Sequence, residues 1–312
     1  MTNHKKIENL QTVIVTGASG FLGKEVVKHL LEQENIYVIA LTTRKKQLID
    51  KVGKSEQLKV LHTHKWQQKL DINQQIDVLI NCAFPRTSDP KALAKGIQYT
   101  ESLISDTVAR NLKGFINISS QSVYSQEIDG IVDEYSIVKP ETLYGMTKFA
   151  CERIVAIKCE QSGINYSNIR LGSLVGIELD VRITNRFVKA TLEGNPITVN
   201  GGEQKISYLH VKDAAKALVK MAIADSNKWK DTYNLGNDEY YTVLELAETV
   251  KEIATKYTRK DIIVNFNKGK STFNNLLNSE LFYDSFEWKP KMLLYDLLKE
   301  LFNHYKKDKW RF

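Results

Sequence analysis

The chain has 312 residues, 42% of them hydrophobic, with 44 Lys and Arg against 37 Asp and Glu for a formal charge of +7. That length supports a sizeable core in one large or two modest domains. The basic residues are scattered, with no arm or stripe of the kind that binds nucleic acid, and no run approaches the roughly 20 apolar residues of a membrane helix. In chain order, apolar strand candidates lie at 12–17 (TVIVTG), 37–43 (YVIALTT), 58–63 (LKVLHT), 76–83 (IDVLINCA), 114–120 (GFINISS) and 165–172 (NYSNIRLG). Helix patterns fall between them at 21–33, 90–111 and 141–162, the last starting after Pro140 and stopping at Ser162-Gly163. The strands are hydrophobic almost throughout, as parallel strands covered on both faces are. The second half predicts a helix in RITNRFVKATLEGNP that stops at Gly194, helices at 211–224, 242–257 and 295–307, and one more buried strand at 232–236.

This alternation predicts an α/β fold: a doubly wound parallel sheet of the Rossmann type with a smaller α/β C-terminal substrate-binding region. Residues 1–174 and about 208–237 are expected to form the dinucleotide-binding domain, and about 175–207 and 238–312 the substrate-binding domain. No repeat or Pro/Ser-rich linker separates them, so the second is expected to be closely docked. Cys82, Cys151 and Cys159 are too few, and odd in number, for a disulfide framework. With the polar opening MTNHKKIENLQ in place of a signal-peptide core, a cytoplasmic protein is expected.

Gly17, Gly20 and Gly23 stand where the first strand hands over to its helix. There the first glycine permits a tight turn, the second lets backbone approach a pyrophosphate, and the third lets the helix pack closely. Free N–H groups and the helix dipole then hold the negative charge. Ser19, Phe21 and Leu22 fall within the same cofactor loop, the last two reading better as packing residues. At the end of the second strand, NAD usually requires an acidic residue for its ribose 2′-hydroxyl. Here Thr42 and Thr43 stand instead, followed by Arg44, Lys45 and Lys46. A hydroxyl and a guanidinium suit a 2′-phosphate, so NADP(H) is expected ahead of NAD(H); the plain alternative is an ordinary basic loop.

Tyr-x-x-x-Lys occurs at Tyr135/Lys139, Tyr144/Lys148, Tyr208/Lys212, Tyr295/Lys299 and Tyr305/Lys309. Only Tyr144 and Lys148 fall in the helix after the fifth strand, on one helix face. A nearby ammonium and an oxidised nicotinamide both favour the phenolate, so Lys148 and the bound cofactor are expected to lower the Tyr144 pKa and ready it for proton transfer. Ser120, at the strand's end, is placed to hydrogen-bond the same oxygen as charge develops.

These motifs resemble the extended short-chain dehydrogenase/reductases of the NAD-dependent epimerase/dehydratase type, which mostly act on nucleotide sugars. TGASGFLG (16–23), FINISSQSVYS (115–125), YGMTK (144–148), IRLGSLVG (169–176), ISYLHVKDAAKAL (206–218), YNLGNDEYYTVLELAETV (233–250) and FEWKP (286–290) carry the resemblance. It implies catalytic places for Ser120, Tyr144 and Lys148, a pyrophosphate loop at Gly17, Gly20 and Gly23, and a cofactor-lining place for Ala83. It also implies a homodimer through the helices near 90–111 and 141–162.

The departures narrow the reading. Dehydratases resembling this chain carry Thr-Asp-Glu where Ser120-Gln121-Ser122 stand, so elimination of water lacks its acid and base. Epimerases keep the acidic residue for retained NAD, and Thr42 stands there. Ile206 takes the place of a diphosphate-binding arginine, and Ser173 that of an asparagine. Arg86, Arg182, Asn185, Arg186 and Lys205 are candidates for an anionic substrate, with Gln121, Ser122 and Ser173 beside them; each charged one reads equally as a surface residue. An NADPH-dependent reductase of a nucleotide-linked keto-deoxysugar is the expectation, ahead of a 4-epimerase with retained NAD and of a dinucleotide-sensing regulatory protein. His62-x-His64 shows no third ligand, so no metal is expected. Cys82 and Cys151 read as packing residues, and Trp288 as packing of the C-terminal lobe.

Overall fold

A computed structural model describes residues 10–71, 74–125, 127–128, 130–267, 269 and 276–309. Nearly all of the polar opening stretch lies outside the described residues. The order is β1 (Gln11–Thr16), α1 (Phe21–Leu31), β2 (Ile36–Leu41), α2 (Lys45–Val52), β3 (Leu58–Leu61), β4 (Val78–Asn81), α3 (Pro90–Val108), β5 (Gly114–Ser120), α4 (Leu143–Ser162), β6 (Asn165–Leu171), α5 (Ile183–Glu193), α6 (Val211–Ile223), β7 (Thr232–Leu235), α7 (Val243–Thr258), α8 (Glu280–Phe286) and α9 (Leu294–Lys309). The seven labelled strands form one parallel sheet in the order β3-β2-β1-β4-β5-β6-β7. The order reverses between β1 and β4, and ligands bind such sheets outside the strand ends at that point.

Successive side chains of a strand point to opposite faces, and the two faces bury separate clusters. Val13, Val15, Val38 and Ala40 face α1 and α6, whereas Ile14, Ile39 and Leu41 face α3 and α4. That is why Val13-Ile14-Val15 and Val38-Ile39-Ala40-Leu41 run apolar without alternation. A third cluster joins Val175, Phe187 and Val188 to α7 and α9 through Leu246, Val250, Leu298 and Phe302.

Two helices escape the periodicity. In α2 only Leu48 is buried, so KKQLIDKV carries almost no apolar stripe. The seven-residue α8 buries Phe282, Tyr283 and Phe286 in the sheet's own cluster, with Phe282 and Phe286 edge-on to Tyr233. Trp288 packs on Phe282 and Tyr283 there, which corrects its expected place in the C-terminal lobe. This part of segment 238–312 therefore belongs to the larger core.

Candidate active site

Gly17 turns the chain out of β1 with φ +60°, and a Cβ on it would stand 2.9 Å from the backbone N and Cα of Ala83. Only glycine combines that backbone conformation with that approach. The ends of β1 and β4 are tied directly: Thr16 Oγ1 donates to Asn81 Oδ1 at 2.7 Å and accepts from the Ala83 N–H at 3.2 Å. Gly20 is the N-cap of α1 and offers no side chain to the first turn. The N–H groups there suit an external anion, so loop and helix start fit a pyrophosphate. Leu22 is buried in the core, and Phe21 packs beside Gly176; both line the edge of the cleft.

At the end of β2, Thr42 is buried and its hydroxyl is already engaged. Its Oγ1 lies 2.6 Å from Ser19 Oγ and accepts from the Arg44 N–H at 3.0 Å. The exposed residues are Thr43, Arg44, Lys45 and Lys46, which with Gln47, Asp50 and Lys51 border a depression of about 550 Å³. Arg44 is the N-cap of α2 and the two lysines open its first turn. The basic run is thus a helix start on the rim of this depression.

Thr142 caps α4 by accepting from the Gly145 N–H at 3.0 Å. A Cβ on Gly145 would come within 2.2 Å of the Ser122 carbonyl oxygen, so the helix start rests directly on the turn Gln121–Val123. That contact brings Ser120, Tyr144 and Lys148 into one cleft of about 760 Å³. Ser120 Oγ accepts from the Ser122 N–H at 3.2 Å and donates to Ser122 Oγ at 3.1 Å. Lys148 is buried; its Nζ donates to the Ile118 carbonyl at 2.6 Å and lies 4.1 Å from the Phe84 ring centroid. Burial brings its pKa down to about 8, with Cys151, Cys82 and Glu152 opposing.

The expected lowering of the Tyr144 pKa by Lys148 is corrected by this geometry. Burial raises the phenol, and the cation opposing that rise is Arg86. The Lys148 ammonium is engaged by the Ile118 carbonyl and stands 5.9 Å from the Tyr144 ring centroid. Phe84 meets Tyr144 edge-on at 6.1 Å, so one ring touches both members of the pair.

Arg86, Gln121, Ser122, Ser173 and Arg182 line the same cleft. Arg182 Nε donates to the Leu174 carbonyl at 2.8 Å, and burial followed by the charge of Arg86 lowers its pKa. Among the described residues neither arginine forms an ion pair, and no Asp, Glu or His lines the cleft. Asn185 is not in it: fully buried, it donates to the Gly176 carbonyl at 3.1 Å and Tyr305 OH at 2.8 Å, joining α5 to α9. Lys205 and Arg186 are exposed away from it, Lys205 in the short strand Lys205–Ile206 that pairs with Tyr241–Thr242. Cys82, read as a core residue, lies half-buried on the cleft wall with its thiol pushed up to about 12 by burial. Phe84 and Tyr124 escaped sequence reasoning, because an aromatic after an apolar strand carries no spacing signal. The His62 and His64 rings stand 5.4 Å apart, and no group of three metal-ligating side chains occurs among the described residues.

The model of the NAD dependent epimerase/dehydratase family matches residues 13–236. The chain belongs to that family. It is thereby an enzyme of the extended short-chain dehydrogenase/reductase type, from a family that binds NAD(P) and modifies nucleotide sugars. It is 24% identical to the bifunctional polymyxin resistance protein ArnA of Wigglesworthia glossinidia brevipalpis, over 99% of this chain and 51% of that protein, so it spans about half that relative's length. It is 25% identical to the uncharacterized UDP-glucose epimerase YtcB of Bacillus subtilis, over 78% of this chain and 82% of that protein. Among solved structures, the UDP-glucuronic acid 4-epimerase from Bacillus cereus in complex with UDP-glucuronic acid and NAD superposes with a TM-score of 0.78 at 23% identity, covering 95% and 99% of the two chains. The UDP-N-acetylglucosamine 4-epimerase from Bacillus cereus gives 0.79 at the same identity and coverage. These likenesses show the fold of this family member. No helix among its described residues is long and apolar enough to cross a membrane.

Proposed function

We propose that this family member is an NADPH-dependent reductase that transfers hydride to a carbonyl of a nucleotide-linked keto-deoxysugar. The observation that carries the reading is the end of β2. The residue in the acidic place is a buried threonine bonded to Ser19, and Arg44, Lys45 and Lys46 surround the outer depression. A 2′-phosphate is matched there by a guanidinium and a helix start, whereas a 2′-hydroxyl meets no carboxylate acceptor on Thr42 or Thr43. NADPH is a cofactor consumed at each turnover, which suits net reduction. Gln121 and Ser122, which stand in the cleft where dehydratases of this type carry an Asp-Glu pair, support the same reading.

The bound cofactor supplies the hydride. Tyr144 donates its phenolic proton to the carbonyl oxygen as negative charge develops, and Ser120 Oγ donates a hydrogen bond to the same atom. Lys148, one turn further along α4, would hold the nicotinamide ribose. Arg86 and Arg182, whose guanidiniums form no ion pair among the described residues, take the substrate's diphosphate, a role for which Ile206 leaves no arginine in its usual segment. Asn185 and Lys205 take no part. The nucleotide-binding part is assigned to residues 1–174 and about 208–237, and a homodimer through α3 and α4 is supported by the exposed Val108, Met146 and Ile157.

A 4-epimerase with retained NAD is the second reading, favoured by the NAD in the solved 4-epimerase of similar fold. Purified protein separates the two. NADPH oxidised in step with reduction of an added nucleotide keto-sugar, and greater thermal stabilisation by NADPH than by NADH, are expected. NAD released on denaturation, with epimers interconverted when no cofactor is added, would overturn the reductase.

A further inference from the structure

We propose that Glu152, which stands behind the cleft wall, is a positioning residue for the Tyr144–Lys148 pair: it grips the end of β5 through Ser119 and supplies the fixed negative charge behind the Lys148 ammonium. This rests on the reading of Tyr144 and Lys148 as the reacting pair.

Glu152 follows Lys148 by one helical turn on α4, on the same face. It is 3% exposed. Its Oε1 accepts from Ser119 Oγ at 2.5 Å and Arg170 Nε at 3.1 Å, and its Oε2 from Arg170 Nη2 at 2.8 Å. Arg170 Nη1 donates onward to Tyr124 OH at 3.0 Å, and that hydroxyl donates to Asn234 Oδ1 at 2.7 Å. One carboxylate therefore links α4 to β5 and β6, and through Tyr124 to β7. Ser119 and Tyr124 are themselves cleft-lining.

Ser119 lies between the two groups the chemistry uses. On one side is Ile118, whose carbonyl anchors Lys148 Nζ at 2.6 Å; on the other is Ser120. A shift of this strand end moves both. Stability alone gives little reason for such a network, because a buried ion pair and apolar side chains of equal volume hold a fold about equally well. The titratable and charged groups that face Lys148 are Cys82 past the end of β4, and Tyr144, Cys151 and Glu152 on α4. Glu152 is the carboxylate among them, and its charge opposes the effect of burial on the ammonium.

The test reads the Lys148 proton directly, by NMR titration of the whole protein carrying isotopically labelled lysine, in wild type and Glu152→Gln. Glutamine keeps an acceptor for Ser119 and removes the charge. The Lys148 midpoint is expected to fall, and the alkaline limb of kcat/KM to move down with it; Glu152→Asp is expected to restore part of the shift. Ser119→Ala leaves the Glu152–Arg170 pair intact, and is expected to lower kcat about fivefold or more with the KM for NADPH unchanged. A folded Glu152→Gln variant with the wild-type Lys148 midpoint overturns the proposal. Should that variant fail to fold, Ser119→Ala with wild-type kcat overturns it. Failure of the underlying reading is seen separately, as turnover that survives Tyr144→Phe.

Discussion

Lys148 Nζ stands 4.1 Å from the centroid of the Phe84 ring, with its nearest oxygen acceptor the Ile118 carbonyl at 2.6 Å. A ring face and a carbonyl replace part of the water that an ammonium gives up on burial, but only part, and the group titrates near 8 instead of 10.5.

The sign of that shift predicts a stability profile. Below about pH 8 the lysine is protonated in both the folded and the unfolded chain, and the folded state bears the whole cost of burying the charge. Between about pH 8 and 10.4 the unfolded chain holds more protons, so this residue's contribution rises with pH. Lys148→Met is expected to raise the melting temperature at neutral pH, with the gain shrinking as the pH approaches 10. Thermal denaturation across that range checks it; a gain independent of pH would contradict the burial argument.

Tyr144→Phe removes one hydroxyl from a ring that keeps its edge contact with Phe84. Turnover is expected to fall by about 10²–10⁴-fold, with NADPH affinity retained. Steady-state kinetics beside calorimetric titration of the cofactor measure both; full cofactor-dependent function in this variant would favour a sensor.

Arg44→Ala is expected to weaken NADPH binding by roughly 10–100-fold, the worth of a charge-assisted hydrogen bond, and to leave NADH binding nearly unchanged. Equal losses for the two cofactors would place the 2′-phosphate elsewhere.

Gly145→Ala puts a methyl group 2.2 Å from the Ser122 carbonyl oxygen. Backbone must move to admit it, at a cost of about 1–3 kcal/mol. A lower denaturant midpoint together with a lower kcat is expected, because the same contact sets Tyr144 beside Ser120.

Arg182→Ala and Asn185→Ala separate a cleft residue from a structural one three positions away. The first removes one hydrogen bond, to the Leu174 carbonyl, and is expected to raise the KM for a nucleotide sugar tenfold or more at a stability cost of about 0.5–1.5 kcal/mol. The second removes two buried hydrogen bonds, to the Gly176 carbonyl and to the Tyr305 hydroxyl, and is expected to cost about 1–3 kcal/mol of stability, with the KM nearly unchanged. Paired kinetics and melting curves check both.

The amino-acid sequence by itself determined the parallel sheet and the glycine turn at the end of β1. Strands buried on both faces favour apolar runs such as Val13-Ile14-Val15 and Leu79-Ile80, and a turn with φ +60° against Ala83 admits only glycine, so both constraints are written locally. It missed α2 and α8, where a single buried leucine or a short aromatic cluster leaves no period to read. Only the tertiary structure decided the charge environment: Arg86 and not Lys148 opposes the rise in the Tyr144 pKa, Glu152 lies behind the wall, Asn185 faces inward and Trp288 packs on the larger core. Those relations join residues far apart in the chain, and what each side chain meets there depends on how the helices seat on the sheet, which no spacing along the sequence encodes.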